Sequence, residues 1–158
     1  MFGLNMVVNK GRTVFIGDTS VHEYPTSKQL AEIAISSARV VRLFGFTPKI
    51  AFLSHSTFGQ PMTSRTKHIR DAVEILKKMK VDFKFDGDMQ PDVALNDEYK
   101  ELYPLSDIVG NANVLIMPGQ HSAAISYKIM KSMSSAKVIG PLLIGLGAAI
   151  EIAPLRLS

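Results

Sequence analysis

Near the middle of the chain, a short apolar segment runs directly into a loop of small hydroxyl residues and glycine. The segment covers residues 50–53, and Ser54, Ser56, Thr57 and Gly59 follow it. An apolar run of this length predicts a β-strand buried on both faces. Because a helical pattern begins at about residue 65, this order would present backbone N–H groups to an anion. An ordinary strand-to-helix connection, whose hydroxyls only form turns and caps, explains the same residues, and on this stretch alone it is the stronger explanation.

Three segments have the spacing of amphipathic helices. The first begins at Thr26, which forms a capping box with Gln29, and runs to about Phe44, where Gly45 is a natural stop. The second covers about residues 65–79, and the third ends at about residue 133. The predicted buried faces are Leu30, Ile33, Ala34, Val41 and Phe44 in the first, Ile69, Ala72, Val73, Leu76 and Met79 in the second, and Ile125, Ile129, Met130 and Met133 in the third.

Predicted strands alternate with these helices. They cover residues 13–16, 50–53, 83–85, 114–117 and 137–144, with a last short strand near 150–152. Asp86-Gly87 predicts a turn that ends the third strand, and a short helix near residues 92–95 is the only element expected between 88 and 110. This alternation in a chain of 158 residues predicts one α/β domain, a three-layer α/β/α arrangement around a mainly parallel sheet.

Composition excludes several classes of function. The chain has no cysteine, which rules out disulfides, thiolate metal sites and a cysteine nucleophile, and is compatible with the cytoplasmic location that we expect. No apolar run approaches the roughly 20 residues that span a bilayer. The 18 Lys and Arg residues against 14 Asp and Glu are scattered. We therefore expect no membrane or nucleic-acid partner, and a mild attraction for a polyanionic small molecule.

The motifs that carry chemistry are few. The four histidines are too dispersed to predict a metal site, and Gly145-Leu146-Gly147 lacks the third glycine of a dinucleotide fingerprint. An acidic cluster at Asp86, Asp88 and Asp92 could do acid–base work, but turns and caps place such residues for local reasons more often. Asp18, after the first predicted strand, lies where open α/β sheets bind ligands.

The candidate ligand-binding residues follow the two apolar strands, and no catalytic or metal-binding residue is predicted. Arg65 has a planar guanidinium that suits phosphate, although it could equally pair with a nearby carboxylate. The predicted phosphate-binding residues are Ser54, Ser56, Thr57, Gly59, Arg65, Gln120, His121 and Ser122.

Six segments, in order across nearly the whole chain, resemble the phosphate acetyltransferase (phosphotransacetylase) family. They are F-I-G-D-T-S-V-H-E-Y-P-T at 15–26, L-A-E-I-A-I at 30–35, P-K-I-A-F-L-S-H-S-T-F-G at 48–59, D-F-K-F-D-G-D-M-Q-P-D-V-A-L-N at 82–96, A-N-V-L-I-M-P at 112–118 and V-I-G-P-L-L-I-G-L at 138–146. Within the family, S-T-F-G-Q-P, D-V-A-L-N and H-S-A at 121–123 are most similar to the transferase-like C-terminal region of bacterial hybrid NADP-dependent malic enzymes.

The resemblance implies phosphotransacetylase-like lobes, of the isocitrate/isopropylmalate dehydrogenase-like kind, around a cleft for CoA or acetyl-CoA. It also implies that residues 1–158 are an acyl-CoA-binding fragment of a longer chain with one lobe incomplete. NADP and a divalent metal, Mg or Mn, would belong to the parent enzyme outside this chain, with acetyl-CoA as the effector here. The malic-enzyme catalytic domain and further copies of the chain would be its partners.

Departures from the family pattern bear on activity. Where the transferases carry a Ser-Arg pair, this sequence has Pro154-Leu155, and the family's catalytic aspartate would fall after Ser158. The resemblance therefore implies an acetyl-CoA-sensing, oligomer-forming regulatory domain without transferase activity. Two alternatives stay open: an active phosphate acetyltransferase, and a structural oligomerisation scaffold with a vestigial cleft.

Overall fold

The computed structural model describes residues 1–146 as one six-stranded sheet with helices on both faces. The strands are β1 (Phe2–Asn9), β2 (Arg12–Gly17), β3 (Lys49–Leu53), β4 (Lys84–Met89), β5 (Val114–Ile116) and β6 (Lys137–Ile144). The helices are α1 (Ser27–Leu43), α2 (Ser64–Met79), α3 (Pro91–Leu95) and α4 (Gln120–Met133), with a 3₁₀ turn at Asp97–Glu101. None of the helices in this part of the chain is long and apolar enough to cross a bilayer.

The strand order is β4-β3-β5-β2-β1-β6, so the loops that follow β4, β3, β5 and β2 are neighbours. Strands β2, β5, β3 and β4 pair in parallel, whereas β1 pairs antiparallel with both β2 and β6. Five of the six strands therefore point in one direction and end at the same side of the sheet. We call that side the carboxyl edge and the opposite side the amino edge.

Two apolar clusters fill the space between the layers. One lies under α1 and α2 and contains Phe15, Phe52 and Leu76, each at most 1% exposed. The other lies under α3 and α4 and contains Ile16 and Met89. Because β3 contributes side chains to both clusters, its run is apolar throughout, as predicted. The α/β fold with a mostly parallel sheet is thus confirmed.

The predicted ends of α1 are confirmed. Thr26 and Gln29 form the capping box, with the Gln29 N–H donating to the Thr26 hydroxyl at 3.2 Å. At the other end, Gly45 adopts a φ of 82° and its N–H donates to the carbonyl of Arg42. This left-handed conformation is the one that glycine reaches without steric cost, and it ends the helix.

Strand β1 was missed, and β4 is longer than predicted. One face of β1 carries Gly3 and Asn5 instead of apolar side chains, which hides its alternation. The usable signal was Lys10-Gly11, a two-residue turn with both φ values positive that joins β1 to β2 as a hairpin. The predicted turn at Asp86-Gly87 is wrong, since both residues pair with β3 inside β4.

All three predicted buried faces are partly wrong. Ile125, Ile129 and Met133 are exposed on α4, which buries only Ala123 fully and packs on the sheet with its opposite side. Met79 and Phe44 are exposed as well, since Met79 is the last residue of α2 and Phe44 follows the last residue of α1. The predicted strand near 150–152 and the Pro154-Leu155 departure lie outside the described residues.

The completely buried Phe52 on the central strand β3 provides a test of the packing. Phe52→Ala should lower the free energy of unfolding by about 3–5 kcal/mol, because it removes a large side chain and leaves a cavity. Leu43→Ala, at an 86% exposed position, should change it by less than about 0.5 kcal/mol. Urea denaturation of both variants measures the difference, and equal effects would contradict this assignment of the core.

Candidate functional site

The carboxyl edge carries the loops that follow β2, β3, β4 and β5. Since helices run back along the sheet, α1, α2 and α4 all begin at this edge. Strands β3 and β5 are neighbours, so the loop at 54–63 lies beside the loop at 117–119, at a strand spacing of about 4.8 Å. Backbone N–H groups at helix starts favour negative charge here.

Asp88, at the end of β4, holds the loop that follows β3. Its carboxylate is completely buried and accepts hydrogen bonds from the Ser56 hydroxyl and, at 3.0 Å, from the Gly59 N–H. Its backbone carbonyl accepts the Phe58 N–H at 2.7 Å. The Ser54 and Ser56 hydroxyls lie 3.3 Å apart and extend this network. The loop after β3 is therefore held in place by hydrogen bonds to the end of the neighbouring strand β4.

The outer side of the same loop is also held. Gly59 has a φ of 81°, and a Cβ there would lie 2.2 Å from the Arg70 guanidinium. That guanidinium donates to the Phe58 carbonyl at 2.9 Å. The Thr57 hydroxyl accepts the Gln90 N–H at 3.2 Å, which joins the loop to the start of α3.

Asp18, at the end of β2, organises a second loop in the same way. The side chain is 2% exposed and accepts five hydrogen bonds. The donors are the N–H groups of Gly3, Ser20, Val21 and His22 and the Nδ1 of the His22 ring. Four backbone N–H groups converge on its two oxygens, and Asp18 is the acceptor of all four.

The His22 ring is oriented by this carboxylate. With Asp18 as the acceptor of this contact, Nδ1 of His22 is the donor, and in the neutral ring Nε2 then keeps its lone pair. The His22 side chain is 22% exposed, and Nε2 has no hydrogen-bond partner among residues 1–146. A carboxylate that orients a partly exposed histidine is an arrangement suited to accepting a proton.

The start of α4 packs against the loop that Asp18 organises. The Gln120 N–H donates to the His22 carbonyl at 3.0 Å, and a Cβ on Gly119 would lie 2.3 Å from the Glu23 carbonyl oxygen. Gly119 gives α4 no side-chain cap, whereas threonines cap α1 and α2. The N–H groups of His121 and Ser122 find no acceptor within the described chain.

The predicted site residues all lie at the carboxyl edge, but they face different surroundings. Ser54, Ser56 and Thr57 are buried and bonded within the fold. Arg65 is exposed in the first turn of α2 and forms no hydrogen bond or ion pair with residues 1–146. The His121 ring lies 3.3 Å from the Glu23 carboxylate. Arg65 and Gln120 lie on opposite faces of the sheet.

The hydrogen-bonding roles of Asp18, Asp88 and His22 were not predicted from the sequence. Asp86 caps the adjacent Gly87 N–H, a local role as predicted, whereas Asp88 reaches a loop about 30 residues away in sequence. The available signal was a Gly-Asp pair at the end of two predicted strands, followed in one case by a histidine four residues later. Among residues 1–146, His, Asp and Glu form no group of three that could hold a metal ion.

The amino edge carries two open concavities of about 410 and 340 Å³, which share Lys49 and Lys84. Their charges are largely paired with each other: Lys84 lies 2.7 Å from Asp107 and lowers the pKa of that carboxyl, and Arg42 lowers the pKa of Asp82. These cations also lie where α1 and α2 end, so they complement the helix dipoles. We therefore place the candidate site at the carboxyl edge.

Comparison with known proteins identifies relatives over nearly the whole chain. The family model for phosphate acetyl/butaryl transferase matches residues 1–154. An NADP-dependent malic enzyme of Rhizobium meliloti (strain 1021) is 45% identical over 153 residues, which are 97% of this chain and 20% of that enzyme. A phosphate acetyltransferase of Clostridium acetobutylicum is 39% identical over 140 residues, 87% of this chain and 42% of that protein.

A solved structure has the same fold. EutD phosphotransacetylase from Staphylococcus aureus superposes with a TM-score of 0.90 at 28% sequence identity. The superposition covers 99% of this chain and 49% of that chain. This chain thus spans about a fifth of the malic enzyme and about half of the solved phosphotransacetylase.

The hydrogen bonds of Asp88 predict a specific loss of stability. Asp88→Ala leaves the buried Ser56 hydroxyl and Gly59 N–H without an acceptor, at a cost of about 1–3 kcal/mol each. Asp86→Ala, two residues earlier, loses only one local hydrogen bond and should cost under about 1 kcal/mol. Urea denaturation compares the two variants. An Asp88→Ala effect as small as that of Asp86→Ala would contradict the assignment of Asp88 as the residue that holds the loop after β3.

Proposed function

The chain belongs to the phosphate acetyl/butaryl transferase family, and from this we propose that it is the non-catalytic, acetyl-CoA-sensing and oligomer-forming region of an NADP-dependent malic enzyme. The similarity to the Rhizobium meliloti malic enzyme carries the proposal, because it extends over 97% of this chain. The parent enzyme would be cytoplasmic and would oxidise malate to pyruvate and carbon dioxide.

The small share of the malic enzyme that this chain spans supports a division of labour. Four-fifths of such an enzyme would lie outside the region of similarity, which leaves room for a separate catalytic domain. The malate, NADP and Mg or Mn sites would belong to that domain. We assign no metal to residues 1–146, whose acidic and histidine side chains are dispersed or already bonded.

The ligand would bind at the carboxyl edge through its phosphates. The uncapped start of α4 offers the N–H groups of His121 and Ser122, and α2 presents the exposed Arg65. Gly59 allows the loop after β3 to turn towards α2, at a position where a Cβ would meet the Arg70 guanidinium. The buried hydroxyls of Ser54 and Ser56 would act indirectly, by fixing the loop, because Asp88 already engages them.

Regulation requires more than binding. Acetyl-CoA controls the distant catalytic domain only if it binds one arrangement of the oligomer better than another. In this proposal the domain's partners are acetyl-CoA or CoA, the malic-enzyme catalytic domain and further copies of the chain, with no nucleic acid and no membrane.

Thermal melting with acetyl-CoA tests the binding. At ligand 100 times above its dissociation constant, binding to the native state alone adds about 2.7 kcal/mol of stability. Arg65→Ala should weaken binding on the order of tenfold, because it removes a charge-assisted hydrogen bond. Lys67→Ala removes a cation of the same helix that is paired with Asp71 and should leave the ligand-induced shift unchanged.

The outcome distinguishes this proposal from a structural scaffold. A chain that melts at the same temperature with and without acetyl-CoA has a vestigial cleft and serves only to hold subunits together. Equal weakening by Arg65→Ala and Lys67→Ala would show that only overall charge matters.

An active phosphate acetyltransferase is a second candidate, and the Asp18–His22 pair favours it. Acetyl transfer needs a base for the CoA thiol, and Nε2 of His22 could accept that proton. The thiolate sulfur would then attack the acetyl carbon of acetyl phosphate, the carbon–oxygen bond to phosphate would break, and phosphate would leave. The Asp18 carboxylate would stabilise the imidazolium that forms.

Acetyl-CoA formation from CoA and acetyl phosphate separates the two candidates. The sensor proposal expects no activity in the wild-type chain. An active chain would instead lose at least about 100-fold of its rate in His22→Gln, the usual contribution of a positioned base. The variant must melt at the wild-type temperature, so that the loss reports chemistry and not unfolding.

A further inference from the structure

A serine, a histidine and a backbone carbonyl contact one another where the start of α1 meets α2. The Ser27 hydroxyl oxygen lies 2.9 Å from Nδ1 of the His68 ring, and Nε2 of the same ring lies 2.6 Å from the Pro25 carbonyl oxygen. Ser27 is the first residue of α1, and His68 lies in the second turn of α2. Both residues are half-buried, so solvent and small molecules reach them. They are 41 positions apart, so no local sequence motif reveals the contact.

The Pro25 carbonyl determines which nitrogen of the His68 ring carries the proton. A backbone carbonyl only accepts hydrogen bonds, so Nε2 is the donor of the 2.6 Å contact. In the neutral ring, Nδ1 then keeps its lone pair and can accept from the Ser27 hydroxyl. The hydroxyl hydrogen has a second acceptor at 2.9 Å, the His68 carbonyl, and is shared between the two. A hydroxyl, a base that accepts from it and a third group that orients the base form the arrangement of an activated nucleophile.

The start of α1 also supplies donors for the charge that an attack by Ser27 creates. The Thr26 hydroxyl accepts the Gln29 N–H, and the Thr26 carbonyl accepts the Leu30 N–H. The N–H groups of Ser27 and Lys28 find no acceptor within residues 1–146. An attack on an acyl carbon places an oxyanion next to the attacking oxygen, where free N–H groups and the positive end of the helix dipole stabilise it.

Arg65 adds a cation beside this group. It precedes His68 by three residues in α2, and side chains at this spacing lie on the same side of a helix, with Cβ atoms about 5–6 Å apart. Arg65 is exposed and forms no hydrogen bond or ion pair with the described residues. Because a planar guanidinium suits phosphate, the surroundings favour an acyl compound that carries a phosphate group.

From these contacts we infer that Ser27 is a nucleophile that takes an acyl group from an activated acyl compound, with His68 as its base. The Ser27 oxygen attacks the acyl carbon, and the hydroxyl proton moves to Nδ1 of His68. The bond from that carbon to the leaving group then breaks, the leaving group departs with the bonding electron pair, and Ser27 remains as an ester. Acetyl phosphate, whose leaving group is phosphate, is the kind of donor that Arg65 favours. The step modifies one side chain and goes beyond the ligand binding proposed above.

Labelling with p-nitrophenyl acetate, a neutral activated ester, tests the nucleophile. Mass spectrometry of the acid-quenched chain should find an acetyl group on Ser27, in an ester that hydroxylamine removes. Ser64 is the matched control and should stay unmodified, since it is the first residue of α2, is more exposed than Ser27 and contacts no histidine ring in the described chain. His68→Gln should slow the labelling at least about 100-fold, the usual contribution of a positioned base.

Labelling with acetyl phosphate tests the choice of donor. Arg65→Ala should slow acetylation of Ser27 by acetyl phosphate on the order of tenfold, because it removes a charge-assisted hydrogen bond. The same variant should react with the neutral ester at the wild-type rate. An equal effect of Arg65→Ala on both donors would overturn the assignment of Arg65 to the phosphate.

Cysteine variants measure the effect of His68 without an acyl donor. The chain has no cysteine, so Ser27→Cys and Ser64→Cys each introduce a single thiol at a helix start. A neighbouring histidine favours the thiolate, so Ser27→Cys should react with an aromatic disulfide on the order of tenfold faster than Ser64→Cys. Adding His68→Gln should remove this advantage. Each variant is assayed at a temperature at which its circular dichroism spectrum matches that of the wild type.

Three results would overturn the inference: equal acetylation of Ser27 and Ser64, labelling of Ser27 that His68→Gln does not slow, or equal reactivity of the two thiols. None of the measurements uses acetyl-CoA. Failure of this inference therefore leaves the acetyl-CoA-sensing proposal untouched, and a chain that does not bind acetyl-CoA can still acylate Ser27.

Discussion

Two buried carboxylates determine the shape of the carboxyl edge. Asp88 holds the loop after β3 through a hydroxyl and an N–H. Asp18 holds the loop after β2 through three N–H groups and the His22 ring of that loop, and also accepts the Gly3 N–H of β1. A buried charge is tolerated only where donors surround it, so each loop is tied to its aspartate. The two strands are separated by β3 and β5, and the helix starts between them are held at a fixed spacing.

This arrangement explains why the loop after β3 is rich in hydroxyl residues and yet has few hydrogen-bonding groups free for a ligand. Its serines serve the fold first, because Asp88 uses their hydrogen-bonding capacity. The groups left for a ligand are those that the fold does not use: the N–H groups at the uncapped start of α4, the guanidinium of Arg65 and the Nε2 of His22.

The regular part of the fold could be predicted from sequence. Thr26, Gln29 and Gly45 mark the ends of α1 by local hydrogen bonding, and the apolar run of β3 follows from burial on both faces. The antiparallel β1 could not be recognised from periodicity, because Gly3 and Asn5 occupy one of its faces next to Thr19 and Ser20. The orientation of α4 was predicted wrongly because periodicity identifies an apolar face but not the partner that covers it. The function of Asp88 depends on a loop far away in sequence, which no local pattern reveals.

Amide hydrogen exchange of the chain, with and without acetyl-CoA, tests the placement of the ligand most directly. Our account predicts slower exchange at the start of α4 when acetyl-CoA is present, because the free N–H groups of His121 and Ser122 become bonded to the ligand, and slower exchange in the loop at 54–59, which the ligand shields. The amino edge around Lys49 and Lys84 should be unaffected. Protection confined to the amino edge would contradict the account, since the ligand would then bind where the strands begin.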